Sequence, residues 1–329
     1  MSTALSLFKS NPVGLGCMNM SHAYNKPVPD EEAIKGFRDA FDMGYRHFDT
    51  ATLYGGGKNE TLVGKALKSV RNDIFLASKC VLFIDPETGK GLDGRPETIK
   101  AQCEASLRRL QTDHIDLYYL HRRDFNVPIE ESAGAMADLI KEGKISHYGL
   151  SEMSAKTLRA AHKEHPVSAM QTEYSVWTRN PEIAVLEACR ELDTTFVAFS
   201  PLARGFLSLT LDNVSDLDSG DVRRVMPRFY PDNFEHNKRL LEQYKAIAQR
   251  ADCSPAQLAL AWLRAKDPSI VSIPGTRYTS HMRDNLASTD VHLSSDIVND
   301  LEQLINRNTV VGERYSDTMQ TEIDTEQFE

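Results

Sequence analysis

The stretch Tyr45-Arg46-His47-Phe48-Asp49-Thr50-Ala51-Thr52-Leu53-Tyr54 decides how this chain is read. Two shorter segments share its design: Ile74-Phe75-Leu76-Ala77-Ser78-Lys79 and Ile115-Asp116-Leu117-Tyr118-Tyr119-Leu120-His121. Each opens with a short apolar run (45–48, 74–77 and 115–120) that reads as a buried strand. A chemically useful side chain follows each run: Asp49, Lys79 and His121, with Tyr54 one short loop after Asp49. In a barrel of parallel strands, the C-terminal strand edge is where loops converge and sites form. A carboxylate, a phenol, an ammonium and an imidazole gathered there suit protonation of a carbonyl oxygen.

Outward from these segments, strands and helices alternate. Further strands are expected at 13–17, 145–150, 169–171, 195–199 and 270–273. Helices are expected at 30–43, 60–69, 96–110, 129–142, 154–164, 181–192, 235–251, 254–265, 280–288 and 294–306. Eight strand–helix units without an interior Pro/Gly/Ser-rich linker indicate an α/β chain folded as one (β/α)8 TIM barrel over 1–329, with a short N-terminal extension and extra helices. The competing doubly wound sheet lacks its glycine fingerprint. Gly14-Leu15-Gly16-Cys17-Met18-Asn19 carries asparagine where a third glycine is required. Gly55-Gly56-Gly57-Lys58 has the wrong spacing for a phosphate loop and reads as a turn. A polar excursion at 209–233 interrupts the rhythm; an unstructured loop of about 25 residues in a compact domain is usually functional, and here it could close over a cofactor. The acidic tail from about residue 313 is too polar to pack alone and is expected to fray.

Composition narrows the function classes. A net charge of −9 argues against nucleic acid or an anionic membrane surface as the main partner. Five scattered cysteines without a Cys-x-x-Cys fit buried thiols in a reducing compartment better than disulfides or a zinc site. No run reaches the length of a membrane span and no apolar leader opens the chain, so a cytoplasmic location is expected. His162 and His165 stand three apart on a helix, but no third ligand is evident, and no metal is expected.

The chemistry of the four residues is specific. A phenol with a pKa of about 10 is a poor acid at neutral pH unless a cation stabilises its anion. Lys79 could supply that charge, Asp49 could keep the ammonium charged away from water, and His121 could orient the oxygen. Taken singly, each residue reads equally well as a surface aromatic, a strand-end charge or a core histidine. Their shared placement on successive strands shifts the balance.

The segments Phe48-Asp49-Thr50-Ala51-x-x-Tyr54-Gly55, Ser78-Lys79 and Asp116-Leu117-Tyr118-Tyr119-Leu120-His121 resemble the aldo-keto reductase superfamily. The resemblance continues through Gly143-Lys144-Ile145, Tyr148-Gly149-Leu150-Ser151, Gln171-x-Glu173-Tyr174-Ser175, Ser200-Pro201-Leu202-x-x-Gly205 and Ile273-Pro274-Gly275-Thr276, covering nearly the whole chain. It implies a (β/α)8 barrel that binds NADP(H) in extended form and uses Asp49, Tyr54, Lys79 and His121 as a catalytic tetrad. Tyr54 would then protonate a carbonyl that receives hydride. It also implies cofactor contacts. Ser151 and Gln171 would hold the nicotinamide carboxamide, Phe199 would stack on the ring, and Ser200, Leu202, Arg204 and Gly205 would hold the pyrophosphate. Gly275, Thr276 and Arg277 would hold the adenosine 2′-phosphate, and Asn285 the adenine. Glu152 replaces the usual asparagine, so that contact is expected to be altered or lost, because a carboxylate does not donate. Ala203 replaces a frequent glycine. Arg277 favours NADPH over NADH, although His281 sits where many relatives carry arginine or glutamine.

The substrate is less legible. Candidate pocket walls are Met18, Tyr24, Arg122, Trp177 and Phe229, with Arg123 and Tyr230 beside them. The aromatic members suit an apolar pocket for an aromatic or medium-chain aldehyde, or equally the packing of loops onto the barrel. Arg122 and Arg123 invite an anionic substrate, with one expected to pair with Asp124. The segment 221–229 and Gly149-Leu150-Ser151-Glu152 resemble the branch containing pyridoxal reductases and general bacterial or fungal reductases. The expected partner is a small carbonyl compound. Two other readings stay open: a non-catalytic NADPH-binding regulatory subunit, and an aldolase with Lys79 as Schiff-base nucleophile.

Overall fold

Eight strands run parallel in one sheet: β1 (Leu15–Gly16), β2 (His47–Asp49), β3 (Phe75–Cys80), β6 (Ile115–Leu120), β7 (Ile145–Ser151), β8 (Ala169–Glu173), β9 (Thr195–Phe199) and β10 (Val271–Ile273). The computed structural model describes residues 8–328 apart from 25, 86 and 88. Parallel bridges Val13↔Ser272 and Gly16↔Gly275 join the last strand to the first and close the barrel. Gly14 N donates to Ser272 O at 2.8 Å and Ser272 N to Pro12 O at 2.8 Å across this seam.

Strands walled in by helices outside and side chains inside read as unbroken apolar runs. Every residue of β3 and β6 is buried. Phe75, Ala77, Leu117, Tyr119, Ala169, Val197, Val271 and Ile273 fill the lumen. Phe8 joins them, stacked on Phe75 at 4.6 Å and edge-on to His47 at 5.0 Å. Phe75 opens β3, so Phe8 plugs the N-terminal mouth and leaves the other mouth for the site.

The outer ring begins with α1 (Asp30–Asp42), α2 (Lys58–Leu67), α3 (Pro96–Leu110), α4 (Ile129–Lys141), α5 (Ala155–Glu164) and α6 (Val185–Glu191). Ala33, Phe37 and Ala40 form the buried stripe of α1 at helical spacing. Helices α2 and α3 meet closely at Gly64, where a Cβ would lie 2.6 Å from the backbone of Arg109 and Leu110. The expected helix at 181–192 is a 3₁₀ turn, Asn180–Glu182, followed by the shorter α6. The expected helix at 235–251 is two helices, α7 (Pro231–Lys238) and α8 (Leu240–Arg250). After them come α9 (Pro255–Lys266), α10 (Thr279–Ala287), α11 (Ser295–Leu304) and α12 (Asp317–Gln320). Ser254 and Gln257 form a capping box at the start of α9.

Two further features, a hairpin and the tail, differ from the sequence expectation, while the excursion lines the cleft. An antiparallel hairpin, β4 (Leu82–Asp85) with β5 (Gly89–Leu92), stands between β3 and α3 at the site mouth. The excursion crosses the mouth in 3₁₀ turns and is tied to the loop after β1: Val222 N donates to Ala23 O and Lys26 N to Asp218 Oδ2. The tail, expected to fray, is packed down. Arg314 and Tyr315 are buried, and Asp324 accepts from Ser154 N and Oγ while Glu326 accepts from Ala155 N. Those donors open α5, whose unpaired N–H groups and dipole attract carboxylates. The acidic residues that made the tail look unable to pack are its docking groups.

Candidate active site

Asp49 ends β2, Lys79 is the penultimate residue of β3, and His121 follows β6, so strand register delivers all three to one mouth. Tyr54 returns to them through a turn held by Tyr54 N→Ala51 O, and Gly55, Gly56 and Gly57 continue it with φ of 60°, 62° and 89°. Consecutive left-handed residues of this kind favour glycine.

Lys79 is fully buried. Its Nζ donates to Asp49 Oδ1, to Thr50 O at 2.9 Å and towards the Tyr54 hydroxyl at 3.5 Å. The other Asp49 oxygen accepts from Gln171 Nε2 at 2.8 Å. Burial alone would push the lysine down, but Asp49 and then Tyr54 more than offset it; the ammonium is raised above its ordinary value and stays charged. Burial raises the Tyr54 phenol, opposed by the Lys79 charge. Its proton is therefore retained at neutral pH, beside a cation able to receive the phenolate. His121 lies edge-on to Tyr54 at 5.9 Å. Burial, then the cations Arg122 and Lys79, hold it well below its ordinary value, so it is neutral. Its Nδ1 has no hydrogen-bond partner among the described residues.

Residues to which the sequence assigned no role brace this cluster. Asn59 donates to Cys17 O and Ser21 Oγ and accepts from Thr50 Oγ1, tying the loops after β1 and β2 together. Ser78 donates to Glu60 Oε1 at 2.6 Å, and Glu60 is paired with Arg109 at 2.6 Å. Nothing local in the sequence marks Asn59 and Glu60, early in α2, for burial.

Tyr54, Asp49 and His121 open onto a long cleft of about 860 Å³. Ser151, Gln171, Phe199, Ser200, Leu202, Arg204, Gly205, Gly275, Thr276, Arg277 and Asn285 all line it, together with Met18, Tyr24, Arg122 and His281. The Ser200–Gly205 loop holds Ser200, Ala203, Arg204 and Gly205 at φ of 47°, 49°, 57° and 96°. Left-handed residues in such a loop gather backbone N–H groups into an anion-binding concavity. At the far end Asn285 is buried, and its Nδ2 has no partner among the described residues. An orphaned buried amide is costly unless a ligand satisfies it. The donor set therefore fits an extended ligand with an anionic middle and a polar heterocyclic end.

Several expected residues do other work. Arg204 faces the cleft, but its guanidinium is paired with buried Glu173 at 2.6 Å and bonded to the Tyr24 and Tyr315 hydroxyls. Trp177 and Phe229 do not wall the cleft: Trp177 stacks on Phe206 at 4.2 Å and meets Phe229 edge-on, fixing the excursion to the barrel. Tyr230 is exposed and likewise outside it. Arg123 pairs with Asp324 at 3.3 Å, whereas Asp124 accepts from Gly94 N and Asn126 N. Glu152 faces away from the cleft; both oxygens bind Arg314, at 3.1 and 2.6 Å, and Oε1 also accepts from Glu173 N. His162 Nδ1 accepts from Val167 N, and no metal-holding cluster of His, Cys, Asp or Glu occurs among the described residues. Nor is any described helix long and apolar enough to cross a membrane.

Residues 12–306 match the sequence profile of the Aldo/keto reductase family. The chain belongs to that family. It is 38% identical over 309 residues to a probable aldo-keto reductase 1 of Glycine max, covering 94% of this chain and 89% of that protein. Among solved structures, the glycerol dehydrogenase of Gluconobacter oxydans superposes with a TM-score of 0.79 at 25% identity, covering 89% of this chain and 90% of that one. An aldo-keto reductase of Klebsiella pneumoniae in complex with NADPH does so with a TM-score of 0.70 at 26% identity, covering 93% and 94%. For this aldo/keto reductase the barrel mouth and the cleft running from it are one continuous surface.

Proposed function

We propose that this aldo/keto reductase converts aldehydes or ketones to alcohols with NADPH, with Tyr54 as the proton donor. The observation that carries this reading is the Tyr54 hydroxyl beside the buried Lys79–Asp49 pair at the head of the cleft. Ser151, Gln171 and Phe199 would hold the nicotinamide, the Ser200–Gly205 loop the pyrophosphate, and Arg277 and Asn285 the adenosine end. Bound there, NADPH would supply the hydride to the carbonyl carbon.

As the carbonyl π pair moves onto oxygen, Tyr54 passes its hydroxyl proton to that oxygen. The resulting phenolate faces the Lys79 ammonium, and Asp49 holds that ammonium in place. Neutral His121 can hydrogen-bond the substrate oxygen without competing as an acid. Aldolase chemistry would need Lys79 as a free amine, and a lysine held protonated by Asp49 is a poor nucleophile.

Tyr54→Phe should lower kcat for NADPH-dependent aldehyde reduction by about 10²-fold or more, in the range for loss of a general acid, while the NADPH dissociation constant changes less than about threefold, roughly 0.7 kcal/mol. Turnover equal to that of the parent would end the proton-donor assignment. Tight NADPH binding without reduction of any aldehyde tried would favour a regulatory role.

A further inference from the structure

The substrate end of the cleft carries two long cations with different circumstances. Lys90, on β5, is paired with Glu322 of the tail. Arg122, directly after His121, is half-buried, and no carboxylate among the described residues pairs with it. One of its terminal nitrogens donates to His121 O at 2.6 Å and lies 3.4 Å from Ser151 Oγ. Its Nε is buried without a partner. The backbone carbonyl and hydroxyl hold the guanidinium in place but leave its charge unneutralised. Its neighbour Arg123, by contrast, pairs with Asp324 at 3.3 Å. A half-buried guanidinium that keeps an unused donor and its full charge is suited to receive an anion.

The position of that charge is informative. Arg122 favours the ionised form of Tyr54 and helps keep His121 neutral, so it lies within electrostatic reach of both. It is also next to Ser151, where the cofactor reading puts the nicotinamide amide. An anion on Arg122 would therefore sit a short distance from the carbonyl being reduced. The cleft lining also includes the apolar Leu82 and Ile84 of the hairpin and Met319 and Ile323 of the tail, beside the paired Lys90 and Glu322.

We infer that this enzyme takes carbonyl substrates bearing a carboxylate close to the reacting group, and that Arg122 is the residue that selects them. The inference rests on the reductase reading above and names its substrate class. A planar guanidinium meets a carboxylate through two parallel hydrogen bonds, which fixes the orientation of the carbonyl as well as its affinity. A neutral aldehyde would enter the same pocket but leave the arginine uncompensated.

Matched pairs test this: 4-oxobutanoate against pentanal, and 4-carboxybenzaldehyde against 4-methylbenzaldehyde, each with NADPH. The wild type should prefer the acid in at least one pair by kcat/KM. Arg122→Met should lower the acid-to-neutral ratio by about 10- to 100-fold, the range expected for a charge-assisted hydrogen bond, mainly through KM. Arg122→Lys should keep part of the preference. A turnover-independent arm uses calorimetry on NADP⁺-saturated protein, titrated with butanoate or with butanamide. Butanoate should bind the wild type more tightly, and Arg122→Met should abolish the difference.

An unchanged acid-to-neutral ratio in Arg122→Met overturns the proposal, as does a wild type that favours the neutral member of both pairs. A weakened NADPH dissociation constant with an unchanged ratio would assign Arg122 to the cofactor instead. If the wild type reduces none of the four aldehydes, the reductase reading fails, and the butanoate–butanamide difference alone decides whether Arg122 is an anion receptor.

Discussion

Glu152→Gln should unsettle the tail and leave the cofactor site intact. Glu152 and Arg314 are both buried, and their contact is bidentate, at 3.1 and 2.6 Å, with Arg314 also bonded to Thr325 Oγ1 at 3.1 Å. Glutamine keeps the shape but removes the negative charge that Arg314 grips directly, leaving only the more remote Glu173 to face the buried guanidinium. Breaking one partner of a buried pair costs about 3–5 kcal/mol, mostly as the penalty of the stranded charge. An unfolding entropy of about 2.1 cal/mol/K per residue over 329 residues is about 0.7 kcal/mol/K, so the midpoint should fall by about 4–7 °C. Peeling of the tail alone would cap the loss at the cost of that local opening. Calorimetry gives the midpoint, and amide exchange over 312–328 gives the local term. Arg314→Met should cost a similar amount. The double variant should recover part of it, since neither charge is then left alone. A midpoint shift under about 1 °C with unchanged exchange in the tail would refute the reasoning. A large rise in the NADPH dissociation constant with the tail undisturbed would return Glu152 to the cofactor contact suggested by its sequence position.

Other outcomes follow from single contacts. Burial lowers His47 to about 4, while an unfolded imidazole titrates near 6.5, so between those values the unfolded state binds more protons and stability falls as the pH falls. About 3 kcal/mol should be lost over that window, and His47→Phe should flatten the slope by about one proton in urea titrations at pH 7 and 5. Trp177→Ala should destabilise by about 3–5 kcal/mol while changing aldehyde KM little, because the indole packs the excursion and does not touch the cleft; a KM change of tenfold or more with unchanged stability would reinstate it as a pocket wall. Arg277→Met should raise the KM for NADPH about tenfold and that for NADH less than twofold, consistent with loss of one phosphate contact; equal effects would exclude a 2′-phosphate role. Gly64→Ala should cost about 1–3 kcal/mol, since its Cβ meets backbone rather than a movable side chain; an unchanged midpoint would mean that α2 and α3 can separate freely.

The four mouth residues were legible because strand order, not tertiary detail, delivers them: a buried run ends and the next side chain faces the opening. The barrel followed from the same alternation, and β6 and β9 fall on the expected residues. What escaped depends on partners far away in the chain. Glu152 and Arg314 lie 162 residues apart, and nothing local marks either for the other. Asp324 and Glu326 look like solvated charges until the opening turn of α5 is placed beneath them. The hairpin was missed because Gly89-Lys90-Gly91 carries no strand-like alternation, and β5 is held chiefly by pairing with β4. Aromatic composition alone did not distinguish Trp177 and Phe229 packing a loop from walling a pocket, since both uses bury the same surface.

The seam that closes the barrel has a consequence for how the molecule is made. Its bonds join Pro12 and Ser272, 260 residues apart, and β1 contributes only two residues to the sheet. A chain emerging from synthesis has delivered Asp49, Tyr54, Lys79 and His121 long before Gly275 and Asn285 exist. Until the last strand arrives, the growing sheet keeps two open edges, the state most prone to wrong pairing. Contacts of such long range are closed late and slowly. Completion of the Gly275–Asn285 end of the cleft and sealing of the barrel are therefore the same event, and a ligand that grips Gly275 and Asn285 would hold the seam shut as well.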